Sequence, residues 1–82
     1  MPTIHRERGY NFNFFGGEVA NEPPHIHIWG KGGEMKIWLD ANLTIARCYN
    51  IPAHEQTKLL KIVKEKKKIF LKEWYAIKKQ TR

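Results

Sequence analysis

The stretch Asn21-Glu22-Pro23-Pro24-His25-Ile26-His27-Ile28-Trp29-Gly30-Lys31-Gly32-Gly33-Glu34-Met35-Lys36-Ile37-Trp38-Leu39-Asp40 reads as a β-hairpin. Pro23 and Pro24 have no N–H to give a ladder, so pairing starts at or after His25. Gly32-Gly33 offers two residues that accept positive φ, which a type I′ turn requires. With that pair as the loop, Trp29 faces Lys36, Ile28 faces Ile37, His27 faces Trp38 and Ile26 faces Leu39. Side chains alternate along a strand, and directly opposed residues share a face. One face then carries Ile26, Ile28, Met35, Ile37 and Leu39. The other carries His25, His27, Trp29, Lys31, Glu34, Lys36 and Trp38. A three-residue loop would mix the two sets, and a one-residue slip is penalised wherever one face is buried.

Outward from the hairpin, Tyr10 to Phe15 alternates aromatic and polar residues, as a half-buried strand does. Tyr10, Phe12 and Phe14 join the apolar back, which places Asn11 and Asn13 on the front beside the histidines. Thr3 to Arg6 is expected as a short strand with Arg8-Gly9 as its turn, and Glu18 to Pro24 as a loop. Asp40 to Asn42 reads as a turn, and Leu43 to Tyr49 as a further strand. Its inward residues are either Leu43 and Ile45 or Ala46 and Cys48.

From Ala53 the period becomes helical, with Pro52 suited to the cap region. Leu59, Leu60, Val63, Phe70, Leu71, Trp74 and Ile77 form one apolar stripe over a helix spanning 53–79. Lys66-Lys67-Lys68 interrupts the stripe. Lysine stems can cover apolar surface while the ammonium stays wet, so one continuous helix survives; a kink or split near Lys66 is the alternative. The opposite side, with Lys58, Lys61, Lys64, Lys68, Lys72 and Lys79, reads as a solvated face. The fold class is α+β: a small antiparallel sheet of three to four strands (residues 1–50) packed on one long C-terminal helix.

Eighty-two residues make a single domain, 1–82. The formal charge of +7 favours anionic partners. The single cysteine, Cys48, excludes an internal disulfide and a cysteine-based zinc site, and points to a reducing compartment. No apolar run approaches a membrane span and the N-terminus has no apolar stretch of a signal peptide, so no membrane partner is expected and the expected location is cytoplasmic.

Met1-Pro2-Thr3-Ile4, then Asn21-Glu22-Pro23-Pro24-His25-Ile26-His27, Ile37-Trp38-Leu39-Asp40 and Phe70-Leu71-Lys72-Glu73-Trp74 resemble an uncharacterised bacterial family, domain of unknown function 4160. The Pro-Pro-His-X-His element is its most specific mark. The resemblance implies a small cytosolic protein, often encoded beside a second small protein of the domain of unknown function 2442 type, in pairs that look like toxin–antitoxin modules. It carries over no catalytic residue.

The front face holds the candidate chemistry. His25 and His27 project together from one strand, and imidazoles titrate near neutrality, so one can accept a proton while the other donates. With Arg6 or Lys36 to stabilise developing charge, that pair would serve a metal-independent ribonuclease acting through the 2′-hydroxyl. A second reading has one or both histidines hydrogen-bonding a loop carbonyl, which fixes the approach of the chain after Pro24. A third makes them metal ligands, for which His5 and Glu34 are the candidate partners; the expectation adopted is no metal and no cofactor. Trp29 and Trp38, with Lys31, Lys36, Asn11, Asn13 and Arg6, form the expected binding surface, because bases stack on exposed indoles beside cations. The expected function is a toxin–antitoxin-type component that contacts RNA, or a cognate small protein from a neighbouring gene, through this face. The alternative is a non-enzymatic protein-interaction or DNA-binding regulatory module. Paired exposed tryptophans also suit self-association into a homo-oligomer.

Overall fold

The computed structural model describes residues 4–80, so Thr3 of the expected first strand lies outside the described residues. The elements are β1 (His5–Glu7), β2 (Tyr10–Asn13), α1 (Gly16–Asn21), β3 (His25–Gly30), β4 (Gly33–Trp38), β5 (Ile45–Tyr49) and α2 (Ala53–Gln80). The strands form one antiparallel sheet in the order β1-β2-β3-β4-β5. The α+β class is as expected, but the sheet has five strands rather than three to four. Five arise because both short candidates, β1 and β5, pair at the two edges.

The hairpin turns one residue earlier than expected. Lys31 and Gly32 are its loop, with φ of 52° and 80°. Gly33 instead enters β4 as the partner of Gly30. The reason is crowding: a Cβ on Gly33 would lie 2.4 Å from the Asn50 carbonyl oxygen and 2.8 Å from Ile51 Cγ1. Its missing side chain makes room for the chain leaving β5, and Lys31 takes the left-handed conformation instead. The register becomes Ile26 against Ile37, His27 against Lys36, Ile28 against Met35 and Trp29 against Glu34. Each β3 residue has moved two places along β4. A shift of two keeps parity, so the two faces hold the expected residues although every pair is different. Lys31 is the exception, because it sits in the loop and belongs to neither face.

The back of the sheet is the core. Tyr10, Phe12, Ile26, Ile28, Met35 and Ile37 are buried there against Leu59, Ile62, Val63, Phe70 and Trp74 of α2. Phe12 stacks on Phe70 at 6.0 Å between ring centroids, and Phe14 meets Trp74 edge-on at 5.1 Å. α2 runs unbroken through Lys66-Lys67-Lys68. Lys67 donates from Nζ to the Asp40 carbonyl at 2.7 Å, tying the β4–β5 loop to the helix.

In β5, Cys48 opposes Met35 and is partly buried. The register shifts between Lys36 and Ile37, which pair with Arg47 and Ile45 and leave Ala46 over as a bulge. Leu43 also packs on the core, whereas Ile45 is exposed. Each of the two expected alternatives therefore supplies one inward residue.

The segment 18–24, expected as a loop, begins inside α1. This six-residue helix has two glycines and no side-chain N-cap bond. It is held by tertiary contacts: Val19 is fully buried, and Glu18 bonds to the start of β3.

Candidate functional site

The uncovered front of the sheet is organised in rows that follow from the pairings. One row crosses all five strands as Arg6, Asn11, Trp29, Glu34 and Tyr49. The next holds Asn13, His27, Lys36 and Arg47. His25 and Trp38 form the last, beside α1.

The histidines are on the front but are not exposed. His25 is 0% and His27 7% accessible. Pro23-Pro24 leads directly into the strand, and the Pro23 carbonyl accepts a hydrogen bond from His25 Nδ1 at 2.9 Å. A carbonyl only accepts, so this bond fixes hydrogen on Nδ1. The other nitrogen, Nε2, lies 2.9 Å from Glu18 Oε1, and His27 Nε2 lies 2.6 Å from the same oxygen. The rings are wrapped by aromatics: His25 against Trp38 at 5.2 Å and Trp74 at 5.0 Å, His27 against Phe15 at 4.4 Å. Burial pushes the Glu18 carboxyl up, but its hydrogen bonds to His25 and His27 outweigh that and hold it below its ordinary value. Burial drives His27 below its ordinary value despite the Glu18 carboxylate, with the Lys36 charge acting in the same direction as burial. Both His25 nitrogens are engaged inside the protein, so that ring presents no free nitrogen to an RNA 2′-hydroxyl.

Lys36 and Trp38 are tied up as well. Lys36 Nζ pairs with Glu22 at 3.1 Å and lies 4.6 Å above the Trp38 ring. Lys31 is off the front altogether, reaching Glu55 of α2 at 3.5 Å and lying 5.0 Å from the Tyr10 ring centroid. His5 and Glu34, the expected further metal ligands, do not approach the histidines. His5 is on the back against Phe12, and Glu34 pairs with Trp29 a row away. The third member of the cluster is Glu18.

What stays open is the other half of the face. Trp29 is 47% and Tyr49 66% accessible. Trp29 Nε1 donates to Asn13 Oδ1 at 2.6 Å, and Arg6 Nε to Asn11 Oδ1 at 2.7 Å, so the two asparagines aim an indole and a guanidinium. Asn13, Phe15, His27, Trp29, Glu34 and Arg47 line a cleft of about 370 Å³. Phe15, Glu18, Arg47 and Tyr49 were not anticipated. The alternation of β5 carried a signal for two of them: with Cys48 inward, Arg47 and Tyr49 must face the front.

A His/His/Glu cluster with both histidines buried, beside an open aromatic sheet face, defines a small α+β protein with a preformed surface. Among the described residues no helix is long and apolar enough to cross a membrane. The chain belongs to the family described as Domain of unknown function (DUF4160), whose model matches residues 9–75. No curated protein and no solved structure matches it.

Proposed function

We propose that this protein is a non-enzymatic interaction module, the partner-docking half of a toxin–antitoxin-type pair, and that it binds a small protein on the open front of its sheet. The observation that carries this is the composition of the exposed part of that face. Phe15, Trp29 and Arg47 line the cleft together with Asn13, His27 and Glu34, Tyr49 is exposed in the edge strand of the same face, and Lys36 is paired with Glu22. Protein interfaces are enriched in aromatics and arginine and depleted in lysine, and their hot spots are mostly tryptophan, tyrosine and arginine. The asparagine bonds hold Trp29, and Arg6 farther along the same row, in place, which lowers the ordering cost of binding.

RNA is the second reading, and the basic ridge of α2 favours it. Nine lysines against three glutamates lie on that helix. The front, in contrast, sets Arg6, Lys36 and Arg47 against Glu18, Glu22 and Glu34, so phosphate attraction would act on the opposite side of the molecule from the stacking platforms.

The test is co-purification and titration with the product of the adjacent gene. Trp29→Ala and Tyr49→Ala are expected to weaken that complex by about 1–2 kcal/mol or more each, while a Lys61/Lys64/Lys68→Gln variant leaves it unchanged. Equal binding by the front-face variants would refute the reading. So would a salt-dependent affinity for single-stranded RNA that the front-face substitutions abolish.

A further inference from the structure

We propose that Glu18, His25 and His27 form a binding site for one divalent transition-metal ion of the zinc class, with Glu18 Oε1 and the two histidine Nε2 atoms as ligands. The inference rests on the cluster alone and is independent of the docking surface.

The first support is convergence. One ligand atom from each residue lies within 4.8 Å of the other two. Two imidazoles and a carboxylate are the protein donor set of several three-ligand metal sites, which leave further positions for water or substrate.

The second support is how the donors are held. His25 and His27 are alternate residues of β3 and share a face by necessity. The Pro23 carbonyl occupies His25 Nδ1–H at 2.9 Å. That is the outer bond which metal-bound histidines usually make; it fixes the tautomer and leaves the Nε2 lone pair pointing inward. Phe15, Trp38 and Trp74 pack against the rings and limit their rotation.

The third support is the accounting of hydrogens. Both Nε2 atoms face the same Glu18 oxygen, and His25 already carries its hydrogen on Nδ1. With hydrogen on Nδ1, His25 turns its Nε2 lone pair toward Glu18 Oε1, and His27 Nε2 approaches the same oxygen. A metal ion placed among the three atoms would accept a lone pair from each. Entry is from the side of Glu18, whose side chain is 30% accessible. The neighbouring Lys36 is paired with Glu22 at 3.1 Å.

The test uses the full chain without an affinity tag, stripped with chelator, and titrated with Co(II) and Zn(II). The readouts are the visible spectrum of bound cobalt, the heat of binding, and the thermal midpoint. The expected result is saturation at one ion per chain, a rise in midpoint with Zn(II), and weakening by at least about tenfold in Glu18→Gln and in His27→Gln. His54→Gln, on the exposed start of α2, should bind as the wild type does. Circular dichroism establishes that each variant is folded; Glu18→Gln retains an acceptor oxygen for the histidines, so its loss of metal is readable even where His27→Gln does not fold. Absence of saturable binding, or binding that survives Glu18→Gln and is lost in His54→Gln, would overturn the assignment.

Discussion

Trp74 is the side chain whose replacement reads most of this structure at once. It is fully buried on α2, edge-on to Phe14 and 5.0 Å from the His25 ring. Its indole Nε1 is buried with no hydrogen-bond partner. Truncation to alanine removes most of an aromatic side chain from a packed core and uncovers His25, and such changes cost about 3–5 kcal/mol. An 82-residue domain has a total stability of roughly 4–12 kcal/mol at the usual value per residue. Trp74→Ala therefore removes a large share of it, and since each kcal/mol moves the midpoint of a domain this size by about 4–8 °C, a fall of at least ~12 °C is expected. Trp74→Phe is different. It gives up part of the ring area, but it also deletes a buried N–H left without a partner, whose desolvation costs about 1–3 kcal/mol. The two effects nearly cancel, and the net loss should stay below about 1.5 kcal/mol, the usual ceiling for an apolar swap that nearly keeps volume. Urea unfolding followed by far-ultraviolet circular dichroism measures both, with an unchanged m-value confirming a change in stability alone. If Trp74→Phe costs as much as Trp74→Ala, the indole N–H is making a bond that stabilises the fold and the reasoning fails.

Two further outcomes follow from local geometry. Gly33→Ala forces a Cβ against the carbonyl oxygens of Asn50 and Tyr49 and against Ile51 Cγ1, all within 2.9 Å; it should destabilise by about 1–3 kcal/mol, as overpacking does, with backbone amide shifts concentrated in residues 30–36 and 49–51. Asp40 caps its own turn, and the Thr44 backbone N–H, helped by those of Asn42 and Leu43, holds its carboxyl below the ordinary 3.8. A carboxyl with a lowered folded value contributes stability above its unfolded value and loses it as pH falls through the folded one. The advantage of wild type over Asp40→Asn in acid unfolding should thus be constant above about pH 5 and shrink below pH ~4; a difference that persists unchanged at pH 2–3 would refute it.

The sequence was legible where a period or a parity decided the answer. Ile26, Ile28, Met35 and Ile37 had to share a face, and that survived a register wrong by two residues. The register itself was not legible. Gly32-Gly33 is the expected turn, but the chain leaving β5 at Asn50 and Ile51, far away in sequence, crowds Gly33 and moves the turn to Lys31-Gly32. The same limit hid the metal-type cluster. His25 and His27 are recognisable as a pair, but Glu18 reaches them from a six-residue helix that has no strong propensity and exists because Val19 and Glu18 find partners in the tertiary structure. Lys36 and Lys31 misled for a related reason. Composition shows that a lysine is present, but only contacts show that Glu22 and Glu55 have already neutralised it.

The order of the strands has a consequence for the chain as it is made. Every ladder joins sequence neighbours, so the sheet can assemble hairpin by hairpin as soon as Tyr49 has emerged. Its greasy underside, however, is covered only by the last element, and Trp74 follows Tyr49 by 25 residues. At ordinary elongation rates that leaves roughly one to five seconds in which a nascent sheet displays Phe12, Ile28, Met35 and Ile37 to solvent. Chaperone capture or misassociation would therefore concentrate in that interval, and slowing translation between codons 50 and 74 should reduce the soluble yield more than slowing it earlier.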